Sequence, residues 1–224
     1  MNECMNYVKK RAAEYLKPLG LMPNSTKRLW AEDNGFYLTY VDIAPWHDFG
    51  VCFDVAVQFL WRELNINYFE YSEPDPRIII SETQDLGGCI SFDEFGWQEQ
   101  LDKSLEAVCQ KVVIYRALRD IRCVCESLKV RHDLLSTHYD YQKRDTTRAT
   151  ALALTGNIDE AKEIFNYSVL ISTPEYRDDF SEECLKHIEN GDFTESINLA
   201  INRQRQQFSK KWKPLKANEF PGFK

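Results

Sequence analysis

Asp42, Cys52 and Asp54 fall at alternating positions of two stretches of period two, and His47 sits in the short loop Pro45-Trp46-His47-Asp48-Phe49 between them. Folded as a hairpin, these stretches put both carboxylates and the thiol on one polar face, with the imidazole at its end. Two carboxylates near a histidine suit a divalent cation or shared acid–base work. Asp42, Asp54 and His47 are therefore the candidate catalytic residues of a metal-dependent or acid–base hydrolase. The competing reading is that acids on the outer face of a sheet are simply solvated. Asp85, Asp93 and Glu94 flank Gly87-Gly88, but the segment lacks the alternating ligand spacing of a calcium loop. His132 and His138 are six residues apart, off any one helical face, and His187 falls near a helix end, where a cation suits the dipole. The chain holds no GxSxG, HExxH, GxxxxGK[ST] or GxGxxG motif, and nothing in it calls for a cofactor.

The seven cysteines (Cys4, Cys52, Cys89, Cys109, Cys123, Cys125, Cys184) are odd in number and scattered, with no CxxC pair. With no cluster of histidines beside any of them, that pattern reads as reduced, mostly buried thiols rather than a disulfide framework or a zinc site. No apolar run reaches the ~18 residues of a membrane span, and the first residues lack the apolar core of a secretion signal. The expectation is a soluble, cytoplasmic protein.

Charge is unevenly spread around a net −7. Residues 1–100 hold 8 Lys/Arg against 16 Asp/Glu, giving −8, whereas residues 101–224 hold 20 against 19, giving +1. Between Glu63 and Glu99, Arg77 is the single base among nine carboxylates. Glu70, Glu73, Asp75, Glu82, Asp85, Asp93 and Glu94 of this stretch are the candidate binding residues for a basic protein. Asn202–Asn218 is the converse, with six bases and no acid, and Lys210-Lys211-Trp212-Lys213 could stack a base while meeting phosphates. The net negative charge argues against nucleic acid as the main partner.

The elements that must position these residues follow from periodicity. Val8, Ala12, Tyr15 and Leu16 mark a helix over residues 1–17, ended by Pro18 and Gly20. The period then becomes two: Lys27–Asp33 and Phe36–Ala44 are strands joined at Asn34-Gly35, and Gly50–Gln58 is the next. Pairing residues that sum to 94 places Tyr37, Thr39, Val41 and Ile43 beside Val57, Val55, Phe53 and Val51 on one buried face. A one-residue slip would bury Asp42 or Asp54, so this register is preferred. Short strands are expected at Arg77–Ser81 and Cys89–Phe92, and Asn65–Tyr71 is ambiguous. From Trp97 onward Leu101, Leu105, Val108, Val112 and Tyr115 mark a long helix running through Cys123 or beyond, followed by more helices. The chain is thus α+β: a helix, an antiparallel meander of about five strands over 1–96, and a helical region over 97–224 with αα-hairpins, forming one cooperative unit with the sheet.

Two resemblances accompany this reading. Thr155-Gly156-Asn157-Ile158-Asp159-Glu160-Ala161 and Asn190-Gly191-Asp192-Phe193-Thr194-Glu195-Ser196 align with a period of 35. Each resembles the turn between the two helices of a tetratricopeptide repeat, and Pro174 falls near that repeat's closing proline. The alternative is two ordinary hairpins with shared turn chemistry. The N-terminal helix ending in Leu16-Lys17-Pro18-Leu19-Gly20-Leu21, followed by the meander, is similar to a bacterial family of domains of unknown function. That resemblance implies a bacterial accessory protein, toxin-immunity proteins included, and supplies no catalytic residues. The expected function is a non-catalytic protein-interaction domain binding a basic partner through an acidic face.

Overall fold

Val8, Ala12 and Leu16 recur once per helical turn, and all three are fully buried. They form the inner stripe of α1 (Asn2–Leu16), the first element of the computed structural model. The structure describes residues 2–46, 49–61, 88–129, 138–172, 178–211 and 220–224. The strand expected at Arg77–Ser81 and the ambiguous Asn65–Tyr71 lie outside the described residues. The fold is α+β, a helix and an antiparallel sheet followed by a mostly helical half.

The described residues form two compact units. The first takes residues 2–58, 88–116 and 206–211, and the second takes 59–61, 117–129, 138–205 and 220–224. The sequence boundary at 96/97 therefore moves, because α2 (Trp97–Tyr115) packs on α1 and on the sheet.

The sheet of the first unit is a five-stranded meander in chain order: β1 (Met22–Pro23), β2 (Leu29–Asp33), β3 (Tyr37–Trp46), β4 (Gly50–Phe59) and β5 (Ile90–Ser91). Only β1 has no counterpart among the expected strands. The β2–β3 turn uses Asn34-Gly35 as anticipated: Gly35 has φ 94°, and its N–H donates to Asp33 Oδ1 at 2.8 Å. Tyr37, Thr39, Val41, Ile43, Val51, Phe53, Val55 and Val57 are all buried, as the preferred register requires. The opposite face departs from expectation, since Ala31, Leu38, Tyr40, Ala56 and Gln58 are buried as well. The sheet is thus covered on both faces over part of its length, and the polar margin shrinks to Asp42, Cys52 and Asp54.

Residues of β4 and β5 pair so that Gly50 faces Ser91 and Val51 faces Ile90. The next pair in that register is Cys52 and Cys89, and they form a disulfide with Cα atoms 4.5 Å apart. The Phe92 N–H donates to the Phe49 carbonyl at 2.8 Å, so alternate pairs along this ladder are hydrogen-bonded and the Cys52–Cys89 pair is not. The closer approach at such a pair is what a disulfide needs. This corrects the expectation of seven reduced thiols; Cys4, Cys109, Cys123, Cys125 and Cys184 are in no disulfide. Counting cysteines does not reveal which strands will be neighbours, and the register decided the matter.

Leu101, Leu105, Val108, Val112 and Tyr115 form the buried stripe of α2. Asp102 accepts from Arg11 Nε and Nη2 at 3.0 and 2.8 Å, tying α2 to α1. The helix stops sooner than the apolar period suggests, giving way to a 3₁₀ turn at Arg116–Arg119 before α3 (Ile121–Lys129). Side-chain bonds at this point compete with a continued helix: the buried Tyr37 hydroxyl donates to the Tyr115 carbonyl at 2.8 Å. Arg116 also donates to Glu32 at 3.0 Å and to the Leu19 carbonyl.

In the second unit, α3 is followed by α4 (His138–Leu154), α5 (Ile158–Ile171), α6 (Asp179–Asn190) and the part of α7 (Phe193–Lys211) up to Arg205. Thr146, Ala149, Thr150 and Ala153 of α4 are buried small residues that permit close helix approach. The α4–α5 and α6–α7 turns are built alike. Gly156 (φ 90°) donates to Ala153 O, while Asn157 donates to Leu152 O; Gly191 (φ 76°) donates to Ile188 O, while Asp192 donates to His187 O. Each is the paired-bond helix ending that a left-handed glycine permits.

Candidate interaction groove

The sequence-derived candidates separate once placed. Asp42 and Asp54 lie on the neighbouring interior strands β3 and β4, close enough for their charges to interact. Burial raises the Asp42 carboxyl above its ordinary range; Arg28 pulls it back, and Asp54 adds to the rise. Burial raises Asp54 as well. His47 lies outside the described residues, so the three candidates are not seen together. Among the described residues no group of three or more His, Cys, Asp or Glu could hold a metal ion.

Of the candidate acidic face, Glu70, Glu73, Asp75, Glu82 and Asp85 lie outside the described residues. Asp93 and Glu94 are exposed in the turn after β5, where the Glu94 N–H donates to the Ser91 carbonyl at 3.2 Å.

A second acidic surface, not singled out from the sequence, lies in the helical unit. Asp178 caps α6, accepting from the Ser181 N–H at 3.3 Å and from the Ser168 hydroxyl of α5 at 2.6 Å. This fixes where α6 begins, and the Gly191 turn fixes where α7 leaves it. Between the two helices runs a groove of about 880 Å³. Its apolar lining includes Trp61, Phe180, Cys184, Phe193, Ile197 and Leu199. Leu199 is 59% exposed, a large apolar side chain turned to solvent. Four carboxylates, Asp179, Glu183, Asp192 and Glu195, line the same groove against Arg203 and His187. Asp192 Oδ1 stands 2.8 Å from His187 Nδ1, pinning the turn end of the groove.

The spacing behind this surface was legible in principle. Asp179, Glu183 and His187 recur at i, i+4 and i+8, one polar stripe of α6 beside Phe180 and Cys184. In the sequence Asp192 and Glu195 stand only as part of a helix–helix turn. Only the fold puts the two stripes across from one another.

Comparison of the chain with family models, with curated proteins and with solved structures finds no match. Among the described residues, no helix is long and apolar enough to cross a membrane.

Proposed function

We propose that this protein is a non-catalytic interaction domain that binds a basic protein partner, in the manner of an accessory or toxin-immunity protein. The observation that carries this reading is the groove between α6 and α7. An apolar floor offers desolvation energy, and an excess of carboxylates selects a cationic partner and speeds its approach. The sequence supports the same sign of partner, with nine carboxylates and one base between Glu63 and Glu99. The twin glycine turns, 35 residues apart, support the tetratricopeptide-like reading of the hairpins. The bacterial origin rests on the resemblance of the N-terminal half alone.

We place the protein in the cytoplasm because five of its seven cysteines carry thiols outside any disulfide. The Cys52–Cys89 bond bears the other way, since cytosolic reductants keep most thiols reduced. Alkylation of free thiols at lysis, followed by mass spectrometry of the Cys52 and Cys89 peptides, tests the placement; full oxidation in freshly broken cells would overturn it.

The binding reading is tested with two labelled helical peptides of equal length, one of Lys and Leu and one of Glu and Leu. The cationic peptide should bind at low salt and the anionic one should not. Reversing Asp179, Glu183 and Glu195 to Lys should abolish the preference while the far-UV spectrum stays unchanged. Equal binding of both peptides, or binding indifferent to the reversal, would remove the groove from the account.

A further inference from the structure

The segment Phe220–Lys224 is seated on α7 in a way that resembles recognition of a peptide. The Asn198 side chain donates from Nδ2 to the Phe223 carbonyl at 3.0 Å and accepts the Phe223 N–H at Oδ1, 2.9 Å away. One side-chain amide thus satisfies both backbone groups of a single residue, a contact that reads the chain and not its side chain. Gly222 precedes it with φ 81°, and a Cβ there would stand 3.0 Å from Asn198 Nδ2 and 3.2 Å from its Cγ. The left-handed φ favours glycine, and a Cβ there would press on the amide that holds the next residue.

Two turns along the helix, the Arg205 guanidinium lies 5.9 Å from the centre of the Phe220 ring. Arg205 is only 5% exposed, so the ring meets a buried cation. Phe223 meets Asn198 and Phe220 meets Arg205, so the segment runs antiparallel to α7, with Phe220 and Phe223 edge to face at 5.3 Å. Beyond Phe223 the surface stays open as a cavity of about 450 Å³, lined by Asp192, Glu195, Leu199 and Asn202 among others.

We propose that this face of α7 is a binding site for a partner's peptide of Phe-x-Gly-Phe chemistry, and that Phe220–Lys224 occupies it in cis as a displaceable competitor. The named holds are two neutral hydrogen bonds and one cation–aromatic contact, each individually weak. A segment of the same chain competes at an effective concentration on the order of millimolar. A partner presenting the same chemistry at higher affinity, or in several copies, would displace it.

The probe is a fluorescent peptide of the sequence Asn-Glu-Phe-Pro-Gly-Phe-Lys, residues 218–224, used with the full chain. It carries one acid and one base, so the acidic groove exerts little pull on it, and this test stands or falls separately from the proposed function. The wild-type chain should bind it weakly, because its own segment competes. Gly222→Val in the chain should unseat that segment and raise affinity for the peptide by at least about tenfold. Adding Asn198→Ala should cancel the gain. Phe223→Ala is a second route to the same release, and circular dichroism of each variant confirms folding. Equal affinity for wild type and both releasing variants would overturn the proposal, as would a gain that survives Asn198→Ala.

Discussion

Asp42 shows how one residue reports the cover on its sheet. Burial favours the protonated carboxyl and outweighs the attraction of Arg28, so its value in the folded protein lies above that of the unfolded chain. The stabilisation this gives is complete below the ordinary carboxylate value of about 3.9 and is lost as pH rises through the raised folded value. At neutral pH the ionised group costs stability. Asp42→Asn should therefore unfold at higher denaturant concentration than wild type at pH 7, and the advantage should vanish near pH 3.5. A variant weaker at pH 7 than at pH 3.5, relative to wild type, would show that the Arg28 attraction dominates. Tyr37 makes the complementary case. Its hydroxyl is buried and donates to the Tyr115 carbonyl, so Tyr37→Phe should cost about 1–2 kcal/mol in urea unfolding. A neutral result would mean that Tyr115 finds another donor.

At the scale of elements, the pairing of β4 with β5 carries two features that periodicity could not disclose. A Cβ on Gly50 would lie 2.6 Å from the Ile90 carbonyl oxygen and 2.7 Å from Trp46 Cε3, so the strands approach this closely only because residue 50 is glycine. Gly50→Ala should cost about 1–3 kcal/mol, read as a lower urea midpoint with an unchanged slope. The disulfide two residues on closes a separation of 37, which chain entropy converts to about 4 kcal/mol. Denaturation without reductant should expose five titratable thiols and with reductant seven. Reductant should also lower the melting temperature of wild type, but leave Cys89→Ser unmoved. Seven thiols without reductant would dispose of the bond. The sequence did show both cysteines near strand positions, Cys52 on the polar face and Cys89 opening a short strand. It could not show that 52 faces 89, because a two-residue strand carries no pattern from which to read a register. Where the pattern was long the expectation was accurate: the α1 stripe, the Val41–Ile43 face and both glycine turns stand where periodicity put them. The end of α2 was misjudged because Tyr37 and Arg116 act on it through contacts distant in sequence.

On the whole molecule, charge separates the readings that local features leave competing. The α+β class was legible because the period goes from 3.6 to two and back to 3.6 with the strands grouped together, whereas the place of α2 was not, because it reads as helical but packs on the sheet. Net charge of −7 sets a long-range field that attracts polycations and repels nucleic acid, except around the six bases between Asn202 and Asn218. Two probes distinguish which field governs: poly-lysine and a single-stranded oligodeoxythymidine of matched length. The interaction reading expects poly-lysine to bind at low ionic strength, with affinity falling as the Debye length shortens to about 8 Å at physiological salt. It expects the oligonucleotide to bind weakly, since contacts along Arg203–Lys216 must work against the remaining acidic surface. A tail that drives function would reverse the order: tight oligonucleotide binding, a steep linear loss with the logarithm of salt concentration, and a slope reduced by about one for each base neutralised. Measuring both slopes on wild type and on Lys210→Gln/Lys211→Gln decides between the two. The acidic reading predicts that this pair of substitutions leaves poly-lysine binding unchanged or slightly strengthened.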